Sequence, residues 1–228
     1  NLAVAIDMFF INELYPTLHK ENEPNNFEQV LSLALEILMP YIDGDSIASY
    51  GLEYGYKTKF RICGNLALDD SKLILYGMDE VITTYKRSIK KISFNGYCWF
   101  SPLIEKTTKL AELSMKNSKS YTIVLIITCG KIEDQLNTIE ALNKASFHPI
   151  SYIFINIGPQ NEMKWINADD KPLTGSNSVS ARNCVKYIFY KDIVDKKLSL
   201  EHEMMNEIPN HVSVWANLNG IKPDFFSS

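Results

Sequence analysis

Two stretches of this chain end in reactive groups at the point where a parallel sheet would present them. Tyr121 to Thr128 is an unbroken apolar, β-branched run, the pattern of a strand covered on both faces, and it leads into Cys129-Gly130. A second such run, Leu2 to Asp7, ends on a carboxylate and continues into Met8-Phe9-Phe10-Ile11. Parallel α/β sheets bind ligands just past the carboxyl ends of their strands. One carboxylate, one thiol and a greasy tetrapeptide are therefore expected to share an edge.

A cysteine leaving a strand towards a helix start gains thiolate character, so Cys129 has the local setting of a nucleophile. It would need a base. Of His19, His148, His202 and His211, the second belongs to a loop expected at the opposite edge, and the last two to the C-terminal helical region. The chain is accordingly not expected to be an enzyme. It has no Gly-x-x-x-x-Gly-Lys and no Gly-x-Gly-x-x-Gly after a strand, so nucleotide is not an expected partner.

The elements that must position these groups alternate along the sequence. Phe27, Val30, Leu31, Ala34, Leu35 and Leu38 recur at helical spacing, with Asn26 as the expected cap, after a polar, Pro-bearing loop over 12–26. A turn at Asp43 to Ser46 leads to a strand at Ile47 to Tyr54, and Lys59 to Leu68 reads as a small edge hairpin. Met78, Val81, Ile82, Tyr85 and Ile89 mark a second helix. Ser101-Pro102, cap and first-turn proline, opens a third that runs to about Lys116. Ile132, Leu136, Ile139 and Leu142 suggest a fourth, followed by strands at Ile150 to Ile157 and Val185 to Tyr190. Leu198 to Asn219 is mainly helical despite Pro209, and Gly175 to Asn183, rich in Ser and Asn, reads as a mobile loop. This alternation predicts an α/β fold: a doubly wound, mostly parallel sheet with helices on both faces.

With 228 residues, 46% of them hydrophobic, the chain fits a single domain over residues 1–222 with a tail at 223–228. The net charge of −4 argues against nucleic acid as a partner, and Lys86-Arg87 with Lys90-Lys91 reads as a solvated helix face. No apolar run reaches the ~18–20 residues of a membrane span. The start inside a strand, without Met, suggests a domain cut from a longer protein. Cys63, Cys98, Cys129 and Cys184, without a Cys-x-x-Cys, fit reduced intracellular thiols.

Several stretches together carry a resemblance. They are Ala5-Ile6-Asp7, Gly96-x-x-x-Phe100-x-Pro102-Leu103-Ile104, Leu125-Ile126-Ile127-Thr128-x-Gly130, Ala145-Ser146-x-x-Pro149-Ile150-Ser151 and Glu207-Ile208-Pro209. The chain resembles a von Willebrand factor A domain of the copine type over about Leu2 to Lys222. Pro24 to Gln29 is also similar to the copine-like domain of RING-type ubiquitin ligases, the alternative reading.

The resemblance implies a metal-ion-dependent adhesion site at the sheet's carboxyl edge, built from an Asp-x-Ser/Thr-x-Ser loop, a Thr and a second Asp. Asp7 matches the first aspartate. Phe9 and Ile11 stand at the two hydroxyl positions, Cys98 at the threonine and Cys129 at the second aspartate. Mg²⁺ and Ca²⁺ want oxygen ligands, so neither is expected here. Three fates for the thiols remain open: a soft-metal site with Asp7, a redox disulfide between Cys98 and Cys129, or packing into the space a metal would fill. Phe9, Phe10, Ile11 and Trp99 would set apolar bulk at the rim, or fold inward.

The copine resemblance implies a domain that binds other proteins, with Asp7, Phe9, Phe10, Ile11, Cys98, Trp99 and Cys129 as the expected partner-binding edge. It implies no cofactor in this domain. Calcium and membrane phospholipids would be handled by N-terminal modules outside it, which bring a cytoplasmic protein to the plasma membrane or other membranes when calcium rises, in trafficking or signalling.

Overall fold

The computed structural model describes residues 1–8, 25–54, 61–66, 72–90, 98–168 and 171–222, with 53–54 and 61–65 described as backbone. The apolar runs become a seven-stranded sheet in the order β3-β2-β1-β5-β6-β7, with β4 pairing beside β3 on β2. The strands are β1 (Leu2–Asp7), β2 (Ser46–Tyr54), β3 (Arg61–Asn65), β4 (Ile74–Tyr76), β5 (Thr122–Thr128), β6 (Ile150–Asn156) and β7 (Val185–Phe189). β2, β1, β5, β6 and β7 run parallel, while β3 and β4 pair antiparallel with β2. Of the expected Lys59 to Leu68 hairpin, Arg61–Asn65 form one strand, β3, paired with β2, and residues 59–60 and 67–68 lie outside the described residues. The three-residue β4 is too short to leave a period in the sequence.

The strand residues alternate between two buried faces, as period 2 requires. Leu2, Val4 and Ile6 face α1 (Asn26–Leu38), α2 (Gly77–Ile89), α6 (Leu200–Met205) and α7 (Ile208–Leu218). Ala3 and Ala5 face α3 (Ser101–Ser118) and α4 (Gln135–Ala145). A seven-residue helix, α5 (Tyr190–Lys196), follows β7. The small alanines let α3 and its Phe100 lie close to the centre of the sheet, where Phe100 meets Phe154 edge-on at 5.5 Å.

Three local expectations are corrected by their hydrogen bonds. The cap of α1 is Asn25, one residue earlier than expected: its Oδ1 accepts from Glu28 N (2.8 Å) and also from Tyr85 Oη (3.1 Å), tying α1 to α2. Ser101 is the first residue of α3 rather than its cap. The cap is the Asp134 carboxylate from another loop, which accepts from Phe100 N and Ser101 N. Residues 175–183 are anchored rather than mobile, because Glu140 accepts from Asn177 N and Ser178 Oγ, and Ser146 Oγ accepts from Ala181 N. Pro209 falls in the first turn of α7, where a missing N–H costs nothing, and so the C-terminal helical region divides into α6 and α7. Lys86, Arg87 and Lys90 are exposed on α2, with Lys86 paired to Glu28 at 2.6 Å.

Candidate functional site

Strand order reverses at β1: β2 lies on one side and β5 on the other. The crevice at such a switch point, beyond the carboxyl ends, is where doubly wound sheets bind. The parallel register Ile6↔Ile127 brings Asp7 and Thr128 together there. Asp7 is fully buried, and its Oδ2 accepts from Thr128 Oγ1 (2.7 Å), Cys129 N (3.2 Å) and Cys129 Sγ (3.4 Å). Thr128 Oγ1 in turn accepts from Gly130 N (3.0 Å). Gly130 has φ +86° and lies so close to the Asn156 amide that a side chain would collide with it.

The polar network continues across the next strand ends. Asn156 donates through Nδ2 to Gln160 O (2.8 Å) and Tyr187 Oη (2.9 Å), and its Oδ1 accepts from Gly158 N (2.8 Å). Tyr187 Oη donates to Asn161 Oδ1 (2.7 Å). Thr128, Asn156 and Tyr187 were not among the expected site residues. The one signal for the first two is a polar residue closing an otherwise apolar strand run.

Cys98 comes to this edge through the loop after β5. Glu133 N donates to Cys98 O (3.0 Å), and Asp134 holds Phe100 N (3.0 Å), Ser101 N (2.9 Å) and Thr138 Oγ1 (3.0 Å). Asp134 thus caps α3 and fixes Cys98 against the β5 loop. Asp134→Ala removes these acceptors from a buried site and is expected to cost about 2–4 kcal/mol in urea unfolding. A loss below about 1 kcal/mol would refute the capping role.

Both thiols are buried, and each is pushed well above the ordinary thiol value, first by burial and next by the Asp7 carboxylate; the nearby Cys129 adds to the rise at Cys98. Thiols held protonated are poor nucleophiles. His148 lies before β6, at the opposite edge, 3.4 Å from Glu112, while His211 is buried on α7 with Nδ1 at 3.2 Å from Ser151 Oγ. His202 is on α6, and His19 lies outside the described residues.

The donor set does not fit a hard divalent cation. Of the five positions implied by the resemblance, the two thiols are soft donors, and the Asp7 oxygen named above already accepts from three groups. Phe9 and Ile11 lie outside the described residues, as does Phe10. Among the described residues, no three His, Cys, Asp or Glu side chains are arranged to hold a metal. Trp99 is half-buried at the rim. The structure therefore brings Asp7, Cys98 and Cys129 together, beneath the surface. No helix among the described residues is long and apolar enough to cross a membrane.

The family model for Copine matches residues 17–224. Copine-D of Dictyostelium discoideum is 30% identical over 236 residues, covering 98% of this chain and 44% of that protein. Copine-A of the same organism is 29% identical over 219 residues (92% and 36%), and Protein BONZAI 1 of Arabidopsis thaliana is 26% identical over 237 residues (98% and 41%). The chain spans about two fifths of the length of these curated relatives. Among solved structures, a von Willebrand factor type A protein from Catenulispora acidiphila aligns with TM-score 0.45 and 13% identity, over 94% of this chain and 42% of that one. With a family match over most of its length and a relative at 30% identity, this chain belongs to the copine family.

Proposed function

We propose that this is a protein-interaction domain of a copine-type protein, and that it docks partners at the carboxyl edge of the sheet without a bound metal. The reading rests on one observation: Asp7 Oδ2 is taken up by Thr128 and Cys129, where a cation-bridged site would aim the carboxylate at the cation. Docking then depends on apolar contact at the rim, with Trp99 as one anchor and Asp7, Cys98 and Cys129 supporting it from below. Calcium-dependent phospholipid binding would belong to segments outside this chain and would recruit a cytoplasmic protein to membranes in trafficking or signalling. The domain itself performs no catalysis in this reading.

The test is thermal unfolding of the chain with millimolar MgCl₂, CaCl₂ or MnCl₂ against EDTA. A cation at a hundred times its dissociation constant would stabilise the fold by about 2.7 kcal/mol and raise Tm by several degrees. The expected shift is under about 1 °C. Partner capture should likewise survive EDTA, and its loss would overturn the reading.

A further inference from the structure

The amino-terminal edge of the sheet, opposite the site above, has an apolar trench. Ile123 at the start of β5, Met205 of α6, Pro209, Val212 and Ala216 of α7, and Ile221 enclose an open groove of about 510 Å³. Tyr41, 58% exposed, forms one wall and is shared with a second hollow of about 420 Å³. That hollow has Leu33, Ile37 and Leu200 in its lining, and Glu36 and Glu201 also line it. Leu33 is 44% exposed, so the apolar surface is continuous and open on both sides of Tyr41. Exposed apolar surface of this extent marks an interaction site more often than an accident of composition.

Two observations say what would fill it. The lining consists of residues from α1 and the turn after it, α6, α7 and the segment after it, and the start of a strand, with no unpaired strand edge along it among the described residues. An occupant finds no backbone ladder to join and must satisfy its own N–H and C=O groups, as a helix does. Glu36 and Glu201 make no salt bridge among the described residues, whereas the acids elsewhere on α6 and α7, Glu203 and Glu207, are tied to Lys186. Lys222 lines the trench itself, whereas the free carboxylates sit in the hollow on the other side of Tyr41, where they complement lysine or arginine and repel the phosphates of an anionic membrane. We propose that this trench is a docking site for a basic amphipathic helix of another protein, separate from the carboxyl-edge site.

The probe is a fluorescein-labelled amphipathic peptide of Leu and Lys, about 14 residues or roughly four turns long. Its twin carries Glu in place of Lys. Anisotropy should show the Lys peptide binding at least about tenfold more tightly than the twin. Tyr41→Ala, at an exposed position the core does not use, should weaken binding about fivefold or more, as should Val212→Ser. Glu36→Gln with Glu201→Gln should weaken it similarly and flatten its salt dependence. Circular dichroism on each variant confirms that the fold is intact. Equal binding of both twins, or affinity unchanged in the Tyr41 variant, would overturn the proposal. Three other results would overturn it by naming a different occupant. A chain ending at Lys222 that binds the peptide about tenfold more tightly would assign the trench to residues 223–228. A dimer abolished by Tyr41→Ala would assign it to a second copy. Phosphatidylserine vesicles that retain the parent chain but not the Tyr41 variant would assign it to lipid.

Discussion

Raising the pH from about 8 to about 10 is expected to remove on the order of 4 kcal/mol of folding free energy, enough to unfold a domain of ordinary stability or bring it close. The cause is three buried thiols. Cys98 and Cys129 are pushed well above their ordinary value by burial and then by Asp7, and Cys184 is raised to about 11, by burial alone against the opposing pull of Arg182. In the unfolded chain each ionises near 9. Above that pH the unfolded state sheds protons that the folded state keeps, so stability falls as pH rises. The contribution is intact below about 9 and is lost as pH climbs towards the folded values. Each thiol costs about 1.4 kcal/mol per pH unit once its unfolded form is ionised. Tyr121, raised to about 12, and Tyr85 and Tyr152, pushed up further by burial, add to the slope above about pH 10. Urea unfolding at each pH measures the effect. Cys184→Ala should flatten the fall by about 1.4 kcal/mol at pH 10 relative to its own value at pH 8. A stability curve level to pH 10 would refute the protonated-thiol description of the carboxyl edge.

The fold was readable because burial on both faces makes strands of the parallel sheet near-continuous apolar runs, and β1, β5 and β6 are such runs. The same run length does not register β4, whose three residues gain their partner only from β2. Caps were misread where the capping group is remote. Ser101 has the chemistry of a cap, but the helix starts at Ser101 itself, and a carboxylate 33 residues away in sequence accepts from Phe100 N and Ser101 N. The Ser- and Asn-rich composition of 175–183 suggested mobility because those side chains can solvate a loop. Here Ser178 Oγ and Asn177 N donate to Glu140, and Ala181 N donates to Ser146 Oγ.

At the site, Asp7, Cys98 and Cys129 could be named from the resemblance and do converge, because β1 and β5 are neighbours and the Asp134 clamp holds Cys98 to the loop after β5. Depth could not be read. A hydroxyl on the neighbouring strand, 121 residues away in sequence, looks like any other threonine. Only the register makes Thr128 the hydrogen-bond partner that pulls Asp7 inward. The network through Asn156 and Tyr187 was hidden for the same reason, since it joins the ends of β6 and β7 through side chains 31 residues apart.

Arg182→Met is expected to destabilise the protein by about 2–4 kcal/mol, the second large effect in the molecule. Arg182 is buried, and its guanidinium makes no salt bridge among the described residues. It donates instead to His148 O (2.8 Å), Ile150 O (2.7 Å), Tyr121 Oη (3.2 Å) and Asn183 O (3.0 Å). Those oxygens belong to the start of β6 and the segments on either side, so one planar fork ties the loop before β7 to the sheet's amino edge. Two effects oppose each other in the substitution. Removing a cation from a dry site relieves a desolvation cost of several kcal/mol, which by itself would stabilise the methionine variant. Against this, four charge-assisted bonds disappear at about 1.5–3 kcal/mol each, and the accepting oxygens stay buried. The second sum is larger, so the variant loses stability. Arg182→Lys keeps the charge but, with one point donor, reaches fewer of the four oxygens, and should fall between the two. Hydrogen exchange should quicken first over residues 175–184, because that segment loses one of its anchors and keeps those to Glu140 and Ser146, while β5 and β6 keep their ladder. A methionine variant as stable as the parent would mean that desolvation dominates and that the fork serves some purpose other than holding the fold.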